Sequence, residues 1–99
     1  MRYEVILARS AAEDYQRLDA RWRSAVKQAL AVHLQHEPLK VSKSRIKRLR
    51  GMRRPQYRLR VDAVRVFYDV NEGLQRVEVI GIVHKEQAGQ WLQQYGVSS

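Results

Sequence analysis

Residues 57–83 hold the feature that most limits what this chain can become. Tyr57, Leu59 and Val61 alternate with Arg58 and Arg60, which is the period of a strand buried on one face only. Asp62-Ala63 offers a tight turn, and residues 64–70 (Val-Arg-Val-Phe-Tyr-Asp-Val) read as a second strand. Asn71-Glu72-Gly73 is turn chemistry, and residues 76–83 supply a third strand. Connections this short join spatial neighbours, so the segment predicts a meander of antiparallel strands.

A sheet with one apolar face needs a cover, and the N-terminal third supplies it. Residues 3–8 (Tyr-Glu-Val-Ile-Leu-Ala) read as a strand. Ser10-Ala11-Ala12-Glu13 has the form of a capping box opening a helix over residues 10–18. Asp19 is placed to cap a second helix, in which Trp22, Ala25, Val26, Ala29, Leu30, His33 and Leu34 recur on one face. Pro38 stops it. Two helices joined so closely form an antiparallel hairpin. Residues 84–95 suit a last short helix, with Ala88, Trp91, Leu92 and Tyr95 on one side, and residues 96–99 are expected to fray. The expectation is one α+β domain over residues 1–99. It has an N-terminal strand, a two-helix hairpin packed on a mostly antiparallel four-stranded sheet, and a short C-terminal helix.

The charge balance points to a partner class. Nineteen Lys and Arg stand against ten Asp and Glu, a net +9. That sign suits a polyanion: nucleic acid, an acidic membrane surface or an acidic protein. The absence of cysteine excludes disulfides and thiolate metal sites and is compatible with a cytoplasmic protein. No apolar run approaches a membrane span, and the first residues do not form a secretory signal, so no membrane association is expected. Residues 40–54 hold Lys43, Arg45, Lys47, Arg48, Arg50, Arg53 and Arg54. They read mostly as an exposed loop anchored by Leu49, with room for a short strand over residues 46–49. Such a segment serves as an RNA-backbone contact, as a dock for an acidic segment that folds on binding, or as solvated surface.

Alternation also makes a specific prediction about three arginines. Arg58 and Arg60 share the face opposite Leu59, and Arg65 shares a face with Phe67 and Asp69 in the next strand. If the three meet on one side, like charges crowd together, and a phosphate relieves the repulsion through bidentate hydrogen bonds. The alternative is that each pairs with a surface carboxylate or faces water.

In order and length the chain resembles the RelE/ParE toxin superfamily. Residues 12–18 look like the start of the family's first helix. Lys47-Arg48-Leu49-Arg50-Gly51 resembles its K-x-L-x-G element, Tyr57-Arg58-Leu59-Arg60-Val61 its Y-R-[IL]-R-V strand, and Arg65-Val66-Phe67-Tyr68 its R-[IV]-x-Y strand. Residues 79–85 correspond to the last strand and its basic exit. The resemblance implies a toxin neutralised by a cognate antitoxin, with operator DNA bound through that complex. Its RelE branch implies metal- and cofactor-free cutting of mRNA on the ribosome, and its ParE branch implies inhibition of DNA gyrase. A third outcome is a toxin fold that only binds.

For the RelE branch the resemblance implies catalytic roles for Arg58, Arg60, Arg65, His84 and Lys85. Arg58 and Arg60 occupy positions where such enzymes carry lysines, Arg65 aligns with an arginine on the scissile phosphate, and Lys85 aligns with a phosphate-stabilising arginine. Arginine stays protonated, so the proton-transfer work is expected to pass to His84 or Lys85. Trp91 stands where a base-stacking tyrosine is expected; its helical spacing serves a core role equally well.

Overall fold

A computed structural model describes residues 2–99. The elements are β1 (Glu4–Leu7), α1 (Arg9–Arg17), α2 (Ala20–Ala29), a π-helical turn (Leu30–Leu34), β2 (Ile46–Arg48), β3 (Met52–Arg54), β4 (Tyr57–Val61), β5 (Val64–Asn71), β6 (Arg76–His84), a 3-10 turn (Lys85–Gln87), α3 (Ala88–Tyr95) and β7 (Val97–Ser98). The main sheet runs β1-β6-β5-β4-β2. β2, β4, β5 and β6 are antiparallel neighbours, and β1 joins β6 in parallel. The strand over Ile46 is thus realised, and it brings the sheet to five strands.

One face of this sheet forms the core. Leu59, Val61, Val64, Val66, Tyr68, Val77, Val79 and Ile82 pack against Ala11, Leu18, Val26 and Leu34 of the hairpin, all of them buried. Tyr68 lies fully inside and donates its hydroxyl to the Pro38 carbonyl at 2.6 Å. A phenol buried there needs that acceptor. Desolvation of this ring pushes its pKa well above the tyrosine range.

The hairpin closes as the spacing predicts. Asp19 caps α2 by accepting from the Trp22 amide at 3.1 Å. The Arg23 guanidinium donates to the Leu18 carbonyl, and Tyr15 donates to the Arg23 carbonyl at 3.2 Å. The Arg23 guanidinium thereby satisfies a carbonyl that the end of α1 leaves open, and the Tyr15 hydroxyl ties α1 to the body of α2.

Three local expectations are corrected. Ser10 and Glu13 form no capping box: Ala8 is the N-cap of α1, with no side-chain cap. Because β1 stops at Leu7, the edge of β6 beyond Val79 has no strand beside it. Side chains of α1 occupy that edge instead. Ser10 donates to the Ile80 carbonyl at 3.1 Å, and Asp14 accepts from the Ile82 amide at 3.1 Å. Residues 40–54 lie mostly outside strands, as expected, with β2 where a short strand was expected and β3 as a second one. Their anchor is Ile46, 3 % exposed, whereas Leu49 is only half-buried. The C-terminal residues do not simply fray, because β7 pairs antiparallel with β3.

A test follows for the β6 edge. Asp14→Ala leaves the half-buried Ile82 amide without an acceptor, which costs about 1–3 kcal/mol. Asp14→Asn keeps a carbonyl oxygen there and should cost less. Chemical denaturation of the two variants beside wild type checks the order.

Candidate functional site

The sheet face away from the hairpin carries the arginines. In the β4–β5 ladder, Arg60 lies directly opposite Arg65, and Arg58 lies opposite Phe67. Directly paired residues of antiparallel strands share a face, so all three guanidiniums rise from one side. Lys47 joins them, since β2 pairs it with Arg58.

Among the described residues, no ion pair involves Arg58, Arg60, Arg65 or Lys47. The Arg58 Nε is buried and has no hydrogen-bond partner. Arg65 is held by backbone only: its Nη1 donates to the Asp62 carbonyl at 2.7 Å and to the Val64 carbonyl at 3.1 Å. Its pKa is held below the arginine range by burial and by the charges of Arg58 and Arg60, with Glu86 opposing. A guanidinium remains protonated at neutral pH all the same. Beside Arg60 a hollow of about 140 Å³ is lined by Ser44, Arg45, Arg60 and Asp62.

His84 is not gathered with them. β6 pairs it with the buried Val64, so it points to the hairpin side, where its ring stands edge-on to Trp22 with centroids 6.4 Å apart. The cause is a bulge. Gly81 pairs with Phe67 but Val79 pairs with Tyr68, so Ile80 is the extra residue. An inserted residue reverses which side every later side chain faces. Lys85 leaves the strand at the arginine end, where its amide donates to the Ala63 carbonyl at 2.8 Å.

The other residues expected to touch RNA divide. Lys43 and Arg45 are exposed just before β2, and Arg50 and Arg53 are exposed at the β2–β3 turn and on β3. Arg48 is a strap on the hairpin side: it donates to the Gln56 carbonyl at 2.8 Å and lies 5.2 Å from the centre of the Tyr57 ring. Arg54 is held by the protein's own acids, with Asp69 at 3.1 Å and Glu78 at 3.0 Å. Burial keeps the Asp69 carboxyl above its usual range despite the Gln56 amide and Arg54 beside it. Trp91 is a packing residue. Its ring lies parallel to Phe67 at 4.7 Å and contacts Tyr95 at 5.6 Å. Glu86, in the 3-10 turn, adds a negative charge to the arginine neighbourhood, and no motif or periodicity in the sequence signals it.

The comparisons agree with this architecture. The sequence pattern described as "ParE toxin of type II toxin-antitoxin system, parDE" matches residues 5–89. No curated protein sequence matches significantly. Among solved structures, the RelBE2 toxin-antitoxin complex of Mycobacterium tuberculosis is similar with 26 % identity and a TM-score of 0.68, covering 86 % of this chain and all of the other (100 %). The archaeal RelE-RelB complex of Pyrococcus horikoshii gives 22 % identity and a TM-score of 0.70 over 86 % of this chain and 97 % of the other. The isolated RelE toxin of E. coli gives 21 % and 0.66 over 93 % and 97 %. With its sheet, hairpin and motif order all in place and most of its length matched, the chain belongs to the ParE toxin family, within the RelE/ParE superfamily of type II toxins.

Proposed function

We propose that this toxin is a metal-independent endoribonuclease that cuts mRNA on the ribosome and so stops translation. The observation that carries the reading is the guanidinium face: Arg58, Arg60 and Arg65 rise from one side of the sheet with no ion pair among the described residues, and the enclosed Arg58 Nε lacks an acceptor. Such a group gains most from a phosphate, which offers bidentate acceptors and negative charge at once. In RNA cleavage, a 2′-hydroxyl attacks its adjacent phosphate, and charge builds on the non-bridging oxygens. Pre-placed guanidiniums stabilise that charge more than the ground state. The exposed Lys43, Arg45, Lys47, Arg50 and Arg53 would neutralise neighbouring RNA phosphates. A cognate antitoxin that binds this region would silence the toxin, and the antitoxin complex would be what reaches operator DNA.

The reading is tested by expressing the chain without an antitoxin and mapping mRNA 5′ ends by primer extension. Growth arrest with new ends inside codons is the expected result. Intact transcripts on arrested ribosomes would reject it.

A second reading is inhibition of DNA gyrase without nuclease action. It is favoured by the family pattern and by arginines rather than proton-exchanging lysines at positions 58 and 60. A supercoiling assay separates the two: loss of supercoiling with no RNA ends reverses the ranking.

A further inference from the structure

Guanidiniums leave the proton transfers of RNA cleavage undone. They stabilise charge but do not take a proton at working pH. The His84 ring, beside Trp22, faces the wrong side of the sheet. With His84 turned away, the proton transfers fall to Lys85 or to other groups that flank the arginine face.

Two stand at its opposite flanks. The turn between β4 and β5 holds the first. The Asp62 carbonyl accepts from the Arg65 guanidinium, and the next carbonyl, Ala63, accepts from the Lys85 amide. Glu86 follows in the exposed 3-10 turn; its charge acts on Arg65, though the two form no ion pair within 4.0 Å among the described residues. The second is Lys47 on edge strand β2, opposite Arg58 and in no ion pair among the described residues. Strand order β6-β5-β4-β2 puts the guanidiniums between these two groups. Three strand spacings, about 14 Å, separate the flanks across the sheet; the register adds an offset along the strands, since Lys47 is level with Gly81 and Glu86 lies beyond His84, three residues or about 10 Å further along β6.

We infer that Glu86 is the general base and Lys47 the general acid of the cleavage, an assignment that rests on the nuclease reading above. The Glu86 carboxylate takes the 2′-hydroxyl proton, and the freed electron pair of the 2′ oxygen forms the new bond to phosphorus. The bond from phosphorus to the 5′ oxygen breaks, its electron pair leaves with that oxygen, and the Lys47 ammonium supplies the proton. The products are a 2′,3′-cyclic phosphate and a 5′-hydroxyl. Exchange with water resets both side chains. Attack and departure are in line at phosphorus, so base and acid belong on opposite sides of the charge-stabilising group, which is how the sheet places them.

The test is single-turnover cleavage of ribosome-bound mRNA by the full chain as wild type, Glu86→Gln and Lys47→Ala. A second substrate carries sulfur in place of the 5′ bridging oxygen, a leaving group that needs no proton. Each variant should cut the ordinary substrate roughly 10²–10⁴-fold more slowly. Sulfur should restore Lys47→Ala to near the wild-type rate and leave Glu86→Gln slow, and Glu86→Gln should lose the acid limb of the pH-rate profile. Both side chains are exposed, so thermal melting should match wild type. Wild-type rates in Glu86→Gln, or no sulfur rescue of Lys47→Ala, would overturn the assignment while leaving the nuclease standing. A wild-type chain that cuts nothing would overturn the nuclease and the assignment together.

Discussion

Arg65→Ala is expected to lower mRNA cleavage by about 10²–10³-fold, the usual effect of deleting one pre-placed donor to a transition-state oxyanion. Arg65 should be the most damaging of the three arginines to remove, because two backbone carbonyls fix its guanidinium before any RNA arrives. A donor already in place needs no reordering at the moment of reaction, whereas a free arginine must be immobilised first. Folding should suffer little. The variant loses two backbone hydrogen bonds, about 1 kcal/mol each, but it also relieves the like-charge pairing with Arg60 across the ladder. Arg65→Lys keeps the charge and loses the forked geometry, so it should fall between alanine and wild type. Cleavage rates for the three chains, read beside their melting curves, decide the matter. A wild-type rate in Arg65→Ala would remove the guanidinium face from the chemistry.

That face was legible in the sequence because strand alternation is a strict rule. Once residues 57–61 and 64–70 were strands joined by a tight turn, Arg58, Arg60 and Arg65 had to emerge on one side. The hairpin cap at Asp19 was legible for a similar reason, since the amide it binds is three residues away. What the sequence concealed were pairings between distant residues. Ser10 and Glu13 match a local capping pattern, yet Ser10 serves Ile80, seventy positions on. Its use depends on where β1 happens to end. The β3–β7 pair joins segments more than forty residues apart through only a few contacts, which local propensity cannot signal. His84 shows how a single inserted residue misleads. Without the bulge at Ile80, the alternation set by Val77 and Val79 would carry His84 to the arginine face. With it, Ile82 takes the core side and His84 follows.

The same bulge makes the second large prediction. Gly81, just past Ile80, lies directly under the Trp91 ring. A Cβ at position 81 would sit 2.2 Å from Trp91 Cζ2 and 2.5 Å from its Cε2. No rotamer of a fused ring system clears such an overlap while the ring still stacks on Phe67. Gly81→Ala should therefore lift Trp91, uncover the buried Phe67 and loosen α3, which has no fully buried residue of its own. Overpacking costs about 1–3 kcal/mol, and losing the ring pair adds about 1 kcal/mol. The sum, about 2–4 kcal/mol, lowers the melting midpoint of a domain this size by roughly 10–25 °C. Tryptophan emission should move to the red as Trp91 meets water, and amides of α3 should exchange faster than those of α2. A Gly81→Ala, Trp91→Ala double variant isolates the cause. With the ring gone the three atoms nearest the added methyl are gone too, so the pair should be no less stable than Trp91→Ala alone. Additive losses in that cycle, or unchanged emission in Gly81→Ala, would mean that α3 is held by contacts other than the stack over Gly81.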